Sequence, residues 1–95
     1  MNREAQEKYL SLNHRIMAEN DRNGFVPPCR KRPELFFPED FFEPIEKASV
    51  EAWAKKLCGS CLFENECLDY ALASKETAGI WGGLTTRERS NLLRR

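Results

Sequence analysis

The sequence predicts a small all-α domain, and three observations predict it. Apolar residues recur at helical spacing in separate stretches, helix-start signals stand near where several of them begin, and no stretch alternates convincingly at period two. The chain has 95 residues, enough for one domain. Only 21 of them are Leu, Ile, Val or Phe, just above the compositional border of disorder, and a core this thin needs a staple. Lys plus Arg and Asp plus Glu both number 15, so the net charge is zero. That balance argues against a generic polyanion binder and leaves local charged patches open.

The first element spans roughly residues 2–20, where Tyr9, Leu12 and Ile16 form a stripe flanked by Leu10 and Met17. Its charges are balanced, as on a solvated face, and its His14 is expected at the surface rather than as a metal ligand. Residues 1–22 are read as an N-terminal helical extension and 23–95 as the main domain. Asn23-Gly24 and Pro27-Pro28 then break any helix. Residues 29–44 carry Pro33, Pro38 and Pro44 among Leu35, Phe36, Phe37, Phe41 and Phe42, and are read as an irregular loop with apolar anchors. A second helix starts at Pro44, a favoured first position, and runs to about Leu57. Ile45, Ala48 and Ala52 lie on one stripe of it, and Val50, Trp53, Ala54 and Leu57 on an adjoining one. A third helix runs from about Glu64 to Ser74 with Cys67, Leu68, Ala71 and Leu72 on one face, leaving Glu64, Asn65, Asp69 and Lys75 to water. Gly79-Ile80-Trp81-Gly82-Gly83 is a turn, with at most a small ribbon around Trp81. Thr85-Thr86-Arg87-Glu88 is a capping box that opens a last helix.

The four cysteines are spaced Cys29-x28-Cys58-x2-Cys61-x5-Cys67. No apolar run stands near the N-terminus and the longest uncharged stretch is the ten residues 77–86, so the expectation is a cytoplasmic protein with no membrane span. In a reducing compartment four cysteines point to metal ligands or redox thiols rather than disulfides. Four thiolates complete either a tetrahedral zinc site or an iron–sulfur cluster, and spacing alone leaves the two open. Arg30, Lys31, Arg32, Lys55 and Lys56 flank the cysteines, where cations lower thiol pKa values. Cys58-Gly59-Ser60-Cys61 also has the shape of a thiol–disulfide exchange motif, but no strand precedes it, and such chemistry leaves Cys29 and Cys67 unused.

A lone Cys, then Pro-Glu-Leu-Phe-Phe-Pro at 33–38, then Cys58-x2-Cys61-x5-Cys67, then Gly-Ile-Trp-Gly-Gly at 79–83 resembles the WhiB-like family of actinobacteria and their phages. The resemblance covers roughly residues 29–95. It implies a small transcription regulator whose Cys29, Cys58, Cys61 and Cys67 hold a 4Fe-4S cluster responsive to nitric oxide or oxygen. It also implies that the C-terminal region of the primary sigma factor is the partner. Two features depart from the family pattern. Phe25 stands near where members usually carry a Trp, and the segment after the turn is short for a DNA-contacting basic tail.

Phe36, Phe37, Trp81, Gly82 and Gly83 are the expected partner surface, since buried aromatics dominate binding hot spots. The same rings also serve as core in a domain this poor in apolar residues. Charge is uneven: residues 34–51 sum to −5 and residues 87–95 to +3. Arg87, Arg89, Arg94 and Arg95 are therefore candidate phosphate contacts beside a promoter, weak on their own. No nucleophile elbow, phosphate loop or metalloprotease motif is present, one His cannot supply a His-based triad, and the Glu39-Asp40 pair sits on an acidic loop, so no enzyme is expected. A zinc-stapled helical adaptor is the alternative class, and a thiol–disulfide oxidoreductase the third.

Overall fold

The structure, a computed structural model, describes residues 2–94, so Arg95 lies outside the described residues. It is all-α: α1 (Arg3–Asn23), α2 (Pro28–Lys31), a 3-10 turn (Pro33–Phe36), α3 (Pro38–Phe41), α4 (Pro44–Gly59), α5 (Glu64–Ser74) and α6 (Thr86–Leu93). The only strand-like feature among the described residues is a bridge between Trp81 and Leu84, each N–H donating to the other's carbonyl at 3.1 Å.

Helix α1 is capped at both ends. The Asn2 side chain accepts from the Ala5 N–H at 2.7 Å, and Gly24, at φ 70°, returns its N–H to the Asn20 carbonyl. It therefore runs three residues beyond the expected end. The segment expected as an irregular loop is instead a string of single helical turns, and Pro28, Pro33 and Pro38 each stand first in one. A proline in the first helical position has φ preset and lacks only an N–H that would be unpaired there anyway. The same feature stops the preceding turn, because a proline disfavours helical backbone in the residue before it. Helix α6 begins at the expected capping box: Thr85 Oγ1 accepts from the Glu88 N–H and the Glu88 carboxylate from the Thr85 N–H.

Helices α1 and α5 pack antiparallel. Asn2 donates to the Ala73 carbonyl at one end, and Arg15 pairs with Glu66 towards the other. Between them Ala5, Leu12, Ile16, Phe63 and Tyr70 form one buried cluster, with Phe25, Cys61, Cys67 and Trp81 against it. Leu35, Phe36, Ala54 and Ile80 form a second, with Phe37, Val50, Leu57 and Cys58 against it. Among the expected apolar positions Tyr9, Trp53 and the loop anchor Phe41 are exposed, and the stripes need further correction in two places. Leu10 and Met17 are exposed beside the α1 stripe, and Ile45, Ala48 and Ala52 face solvent, Ile45 at 90% exposure. Helix α4 is held by the Val50, Ala54 and Leu57 side alone. Among the described residues no helix is long and apolar enough to cross a membrane.

Candidate metal centre

The cysteines arrive on three pieces of backbone. Cys58 ends α4, and the chain turns through Gly59 and Ser60 so that the Cys61 N–H donates to the Cys58 carbonyl at 3.0 Å. Cys67 lies in the first turns of α5, and Cys29 follows Pro28 in α2. All four are free thiols; Cys29 is exposed and the others are half-buried. Together they line a cavity of about 160 Å³ whose remaining wall includes Phe36, Phe37, Ile80, Trp81, Gly82 and Glu64. Among the described residues no three His, Cys, Asp or Glu side chains gather closely enough to hold a single ion.

The electrostatics of the ring come from backbone N–H groups more than from basic side chains. Burial pushes the Cys58 thiol up to about 11, opposed by the Gly83 N–H and reinforced by Cys29, Cys61 and Glu64. Burial pushes Cys67 up to about 12, opposed by the Gly82 N–H and reinforced by the other three thiols. The Phe63 N–H donates to Cys61 Sγ at 3.5 Å. Cys29 is raised by burial and by Cys61, and is drawn back by Arg30 and by the N–H groups of Cys29 and Arg30. The expectation that five flanking cations bias the thiols is corrected to Arg30 alone. Arg32 pairs with Glu34, Lys55 with Glu88, and Lys56 lies over the Trp53 ring. A ring of soft donors in an apolar wall, each sulfur near an N–H, suits a thiolate-held centre whose negative charge needs hydrogen bonds in place of water.

The turn at residues 79–83 closes the cavity and is pinned from several sides. The Ile80 N–H donates to the Phe36 carbonyl at 2.7 Å, and the Gly79 N–H to Glu39 Oε1 at 2.8 Å. Gly82 sits at φ 58°, where a Cβ would lie 2.5 Å from Leu68 Cβ and 2.7 Å from the Glu64 carbonyl oxygen. Only glycine lets the turn approach α5 this closely. Arg89 completes the clamp. Its Nη1 donates to the carbonyls of Gly79 (2.9 Å) and Leu84 (2.7 Å), and its Nη2 to those of Glu76 and Ala78, both at 3.3 Å. Arg89 is 2% exposed, so the expectation that it contacts phosphate is wrong; its fork holds the turn from inside.

Of the expected partner residues, Phe36 is 2% exposed and supports the cavity wall from within, while Phe37, Trp81 and Gly83 are half-buried and Gly82 is buried. Arg87 and Arg94 are exposed, as is His14. Sequence reasoning missed three residues. Glu64, expected in water, lines the cavity. Tyr70 is buried, and its spacing from Phe63 and Cys67 (i, i+4, i+7) was a readable signal. The Arg89 clamp left no signal, because its partners are backbone carbonyls outside the helix that carries it.

Fold and site together define a class: a small helical shell around a four-cysteine cavity, closed by a glycine-rich turn. Over residues 26–92 the sequence matches the family described as Transcription factor WhiB, and the chain belongs to that family. Transcriptional regulator WhiB2 of Mycobacterium tuberculosis is 50% identical over 62 residues, covering 65% of this chain and 62% of that protein. Transcriptional regulator WhiB of Streptomyces coelicolor is 50% identical over 60 residues, covering 63% and 61%. The redox-responsive transcriptional regulator WhiB3 of Mycolicibacterium smegmatis is 43% identical over 61 residues, 64% of each chain. The chain thus spans 62% and 61% of the length of the first two relatives. These relatives are transcriptional regulators rather than enzymes. Helix α1 lies outside the matched residues.

Proposed function

We propose that the chain is a cytoplasmic transcription regulator in which Cys29, Cys58, Cys61 and Cys67 hold a 4Fe-4S cluster. One observation carries this reading: four thiols from three backbone segments line a single apolar cavity, and among the described residues no three of them gather closely enough to hold one ion. A zinc ion bound at about 2.3 Å per sulfur draws its ligands together, whereas a cluster occupies volume between them. When bound, the cluster supplies one-electron redox chemistry and iron open to small oxidants. The chain's own residues bind it, shield it with Phe36, Phe37 and Trp81, and stabilise its charge through the Gly82 and Gly83 N–H groups. The redox-responsive name of one relative supports a sensing role.

The partner reading follows the same face. Trp81 and Phe37 are half-buried at the cavity wall, where they can anchor the C-terminal region of the primary sigma factor. Promoter DNA is a weaker contact, through Arg87 and Arg94. The test is anaerobic purification followed by visible absorption and iron and sulfide analysis. A brown protein with iron and sulfide supports the cluster, and a colourless protein with stoichiometric zinc overturns it. Trp81→Ala is expected to keep the colour and weaken sigma-factor binding by about 2–4 kcal/mol. Loss of colour with unchanged binding places the ring in the core instead.

A further inference from the structure

We propose that Trp81, Tyr70 and Tyr9 form a one-electron relay that carries an oxidising equivalent from the cysteine cavity to the surface of α1. The relay needs only the cavity and the three rings, so it stands whichever centre the cysteines hold.

The observation is a continuous line of aromatic rings. Trp81 lines the cavity. Its ring centroid is 5.5 Å from that of Tyr70, and Tyr70 is 5.4 Å from Tyr9, with interplanar angles of 55° and 48°. Tyr70 is 4% exposed and Tyr9 44%, so the line starts at the cavity, crosses the α1–α5 core and ends in solvent. Electron transfer through protein slows exponentially with distance, so two steps between touching rings outrun one long jump. Indole and phenol are the most readily oxidised uncharged side chains other than the sulfur-bearing ones, and both tryptophan and tyrosine lie on this line in series.

Packing accounts for rings in contact, but phenylalanine at position 70 packs equally well. What packing does not call for is a carboxylate on a buried phenol. The Tyr70 hydroxyl donates to Glu76 Oε1 at 3.2 Å, and Ser74 Oγ donates to the same oxygen at 3.3 Å. A phenol that loses an electron becomes a strong acid, and it transfers that electron readily only if a base already holds its proton. Glu76 is that base.

An oxygen-centred radical in the cavity takes one electron from the Trp81 indole and is reduced to its anion. The indole radical cation takes one electron from Tyr70, whose phenolic proton passes to the Glu76 carboxylate. The Tyr70 radical takes one electron from Tyr9, which releases its proton to water, and Glu76 returns its proton to Tyr70. One electron and one proton leave Tyr9, and the other groups are restored.

The chain holds only two tryptophans and two tyrosines, which makes the test direct. Trp53, on α4, is first replaced in a Trp53→Phe background so that Trp81 is the only indole. Azide radicals generated by pulse radiolysis then oxidise the protein, and indolyl and tyrosyl radicals are followed by transient absorption. The expected result is an indolyl signal that converts into a tyrosyl signal at a rate independent of protein concentration. Tyr70→Phe should abolish that conversion, Glu76→Gln should slow it, and Tyr9→Phe should leave it intact with the radical held in the interior. Absence of an indolyl signal, decay that is only bimolecular, or unchanged conversion in Tyr70→Phe each overturns the relay. Because Tyr9 is exposed and Glu76→Gln is isosteric, these two variants keep the proposal testable if Tyr70→Phe fails to fold. An unchanged rate in Glu76→Gln together with no interior radical in Tyr9→Phe then overturns it.

Discussion

The two cores of this molecule are built by different means. On one side a helix of 21 residues, capped at both ends, lies antiparallel to the 11-residue α5 and buries Ala5, Leu12, Ile16, Phe63 and Tyr70 between them. On the other side Leu35, Phe36, Ala54 and Ile80 come from single helical turns, one face of α4 and a glycine-rich turn. The first has the contact pattern of two paired helices. The second has no pair of long helices to hold it; its pieces meet in one small apolar cluster, through the Ile80–Phe36 backbone hydrogen bond and around the cysteine cavity. Cys61 and Cys67 pack against the first core and Cys58 against the second, so a centre bound there joins the two. The long helical pair is a foundation, and the short turns form a shell that its contents complete.

Removing the contents is the strongest way to break that comparison. With the proposed cluster bound, ligand binding and folding are one equilibrium in a core this thin. Cys29→Ala is the sharpest variant, because Cys29 is the exposed thiol and sits on the short α2 turn rather than on α1 or α5. Amide hydrogen exchange is expected to lose protection across residues 28–42 and 79–84 while α1 and α5 keep theirs. Uniform loss over the whole chain, or no loss at all with iron retained, sinks the division into foundation and shell.

Two glycines sharpen the comparison at smaller cost. Gly82 and Gly24 both have positive φ, at 58° and 70°, one in the shell and the other at the end of α1. A Cβ at Gly82 strikes Leu68 Cβ and the Glu64 backbone, whereas at Gly24 nothing lies within 4 Å. Gly82→Ala therefore combines left-handed strain with a collision that pushes the turn off α5, about 2–4 kcal/mol together. It should also lose iron, because the Gly82 and Gly83 N–H donors move with the turn. Gly24→Ala carries the strain alone, about 1 kcal/mol, with iron content unchanged. Equal denaturation midpoints for the two variants contradict the geometry.

The two helices of the foundation were legible in the sequence, though α1 was read as an extension rather than as half of a core, and the shell was legible only in part. Leu12 and Ile16 announce a buried stripe because helical spacing is a local signal, although Tyr9 on the same stripe is exposed, and the third helix falls on Glu64–Ser74 as expected. The capping box at Thr85 is equally local. In the shell, residues 28–42 look irregular because no single turn is long enough to show periodicity. The helical content there is carried by Pro28, Pro33 and Pro38, each of which opens its own short turn. The cysteine spacing indicated a shared centre, but the donors that face it are N–H groups of a turn some 15 to 25 positions away in sequence. The Ile45 stripe shows the converse error: a periodic pattern with nothing on the other side to pack against.

A pH experiment probes the joint between α4 and α6. The Thr85 N–H and the Lys55 ammonium hold the Glu88 carboxyl below its ordinary value. A depressed acid stabilises the fold above the ordinary glutamate pKa of about 4.3, and the benefit is lost as pH falls through the folded value. Glu88→Gln keeps a capping side chain, so the expected result is a flatter acid limb in urea midpoints with little change at neutral pH. An acid limb identical to the parent's means that other carboxylates set the acid sensitivity.

The smallest effect belongs to the arginines of α6, and there the comparison runs between two residues of one helix. Arg89 points inward and aims its two terminal nitrogens at four carbonyls of the turn segment, while the exposed Arg87 and Arg94 lie along the groove beside α4. Among the described residues these two are what α6 offers to phosphate, and each neutralised phosphate contributes about 0.9 to the log–log salt slope, so together they account for roughly 2. Replacing both by alanine should lower the salt slope of a promoter-bound complex by that amount and leave iron content and melting temperature alone. Arg89→Lys should do the reverse, because a lysine has no fork to span Gly79 and Leu84 and its charge stays buried. Iron retention falls and the salt slope holds. A salt slope that drops in Arg89→Lys with iron retained would mean that the guanidinium leaves its clamp when the protein meets DNA.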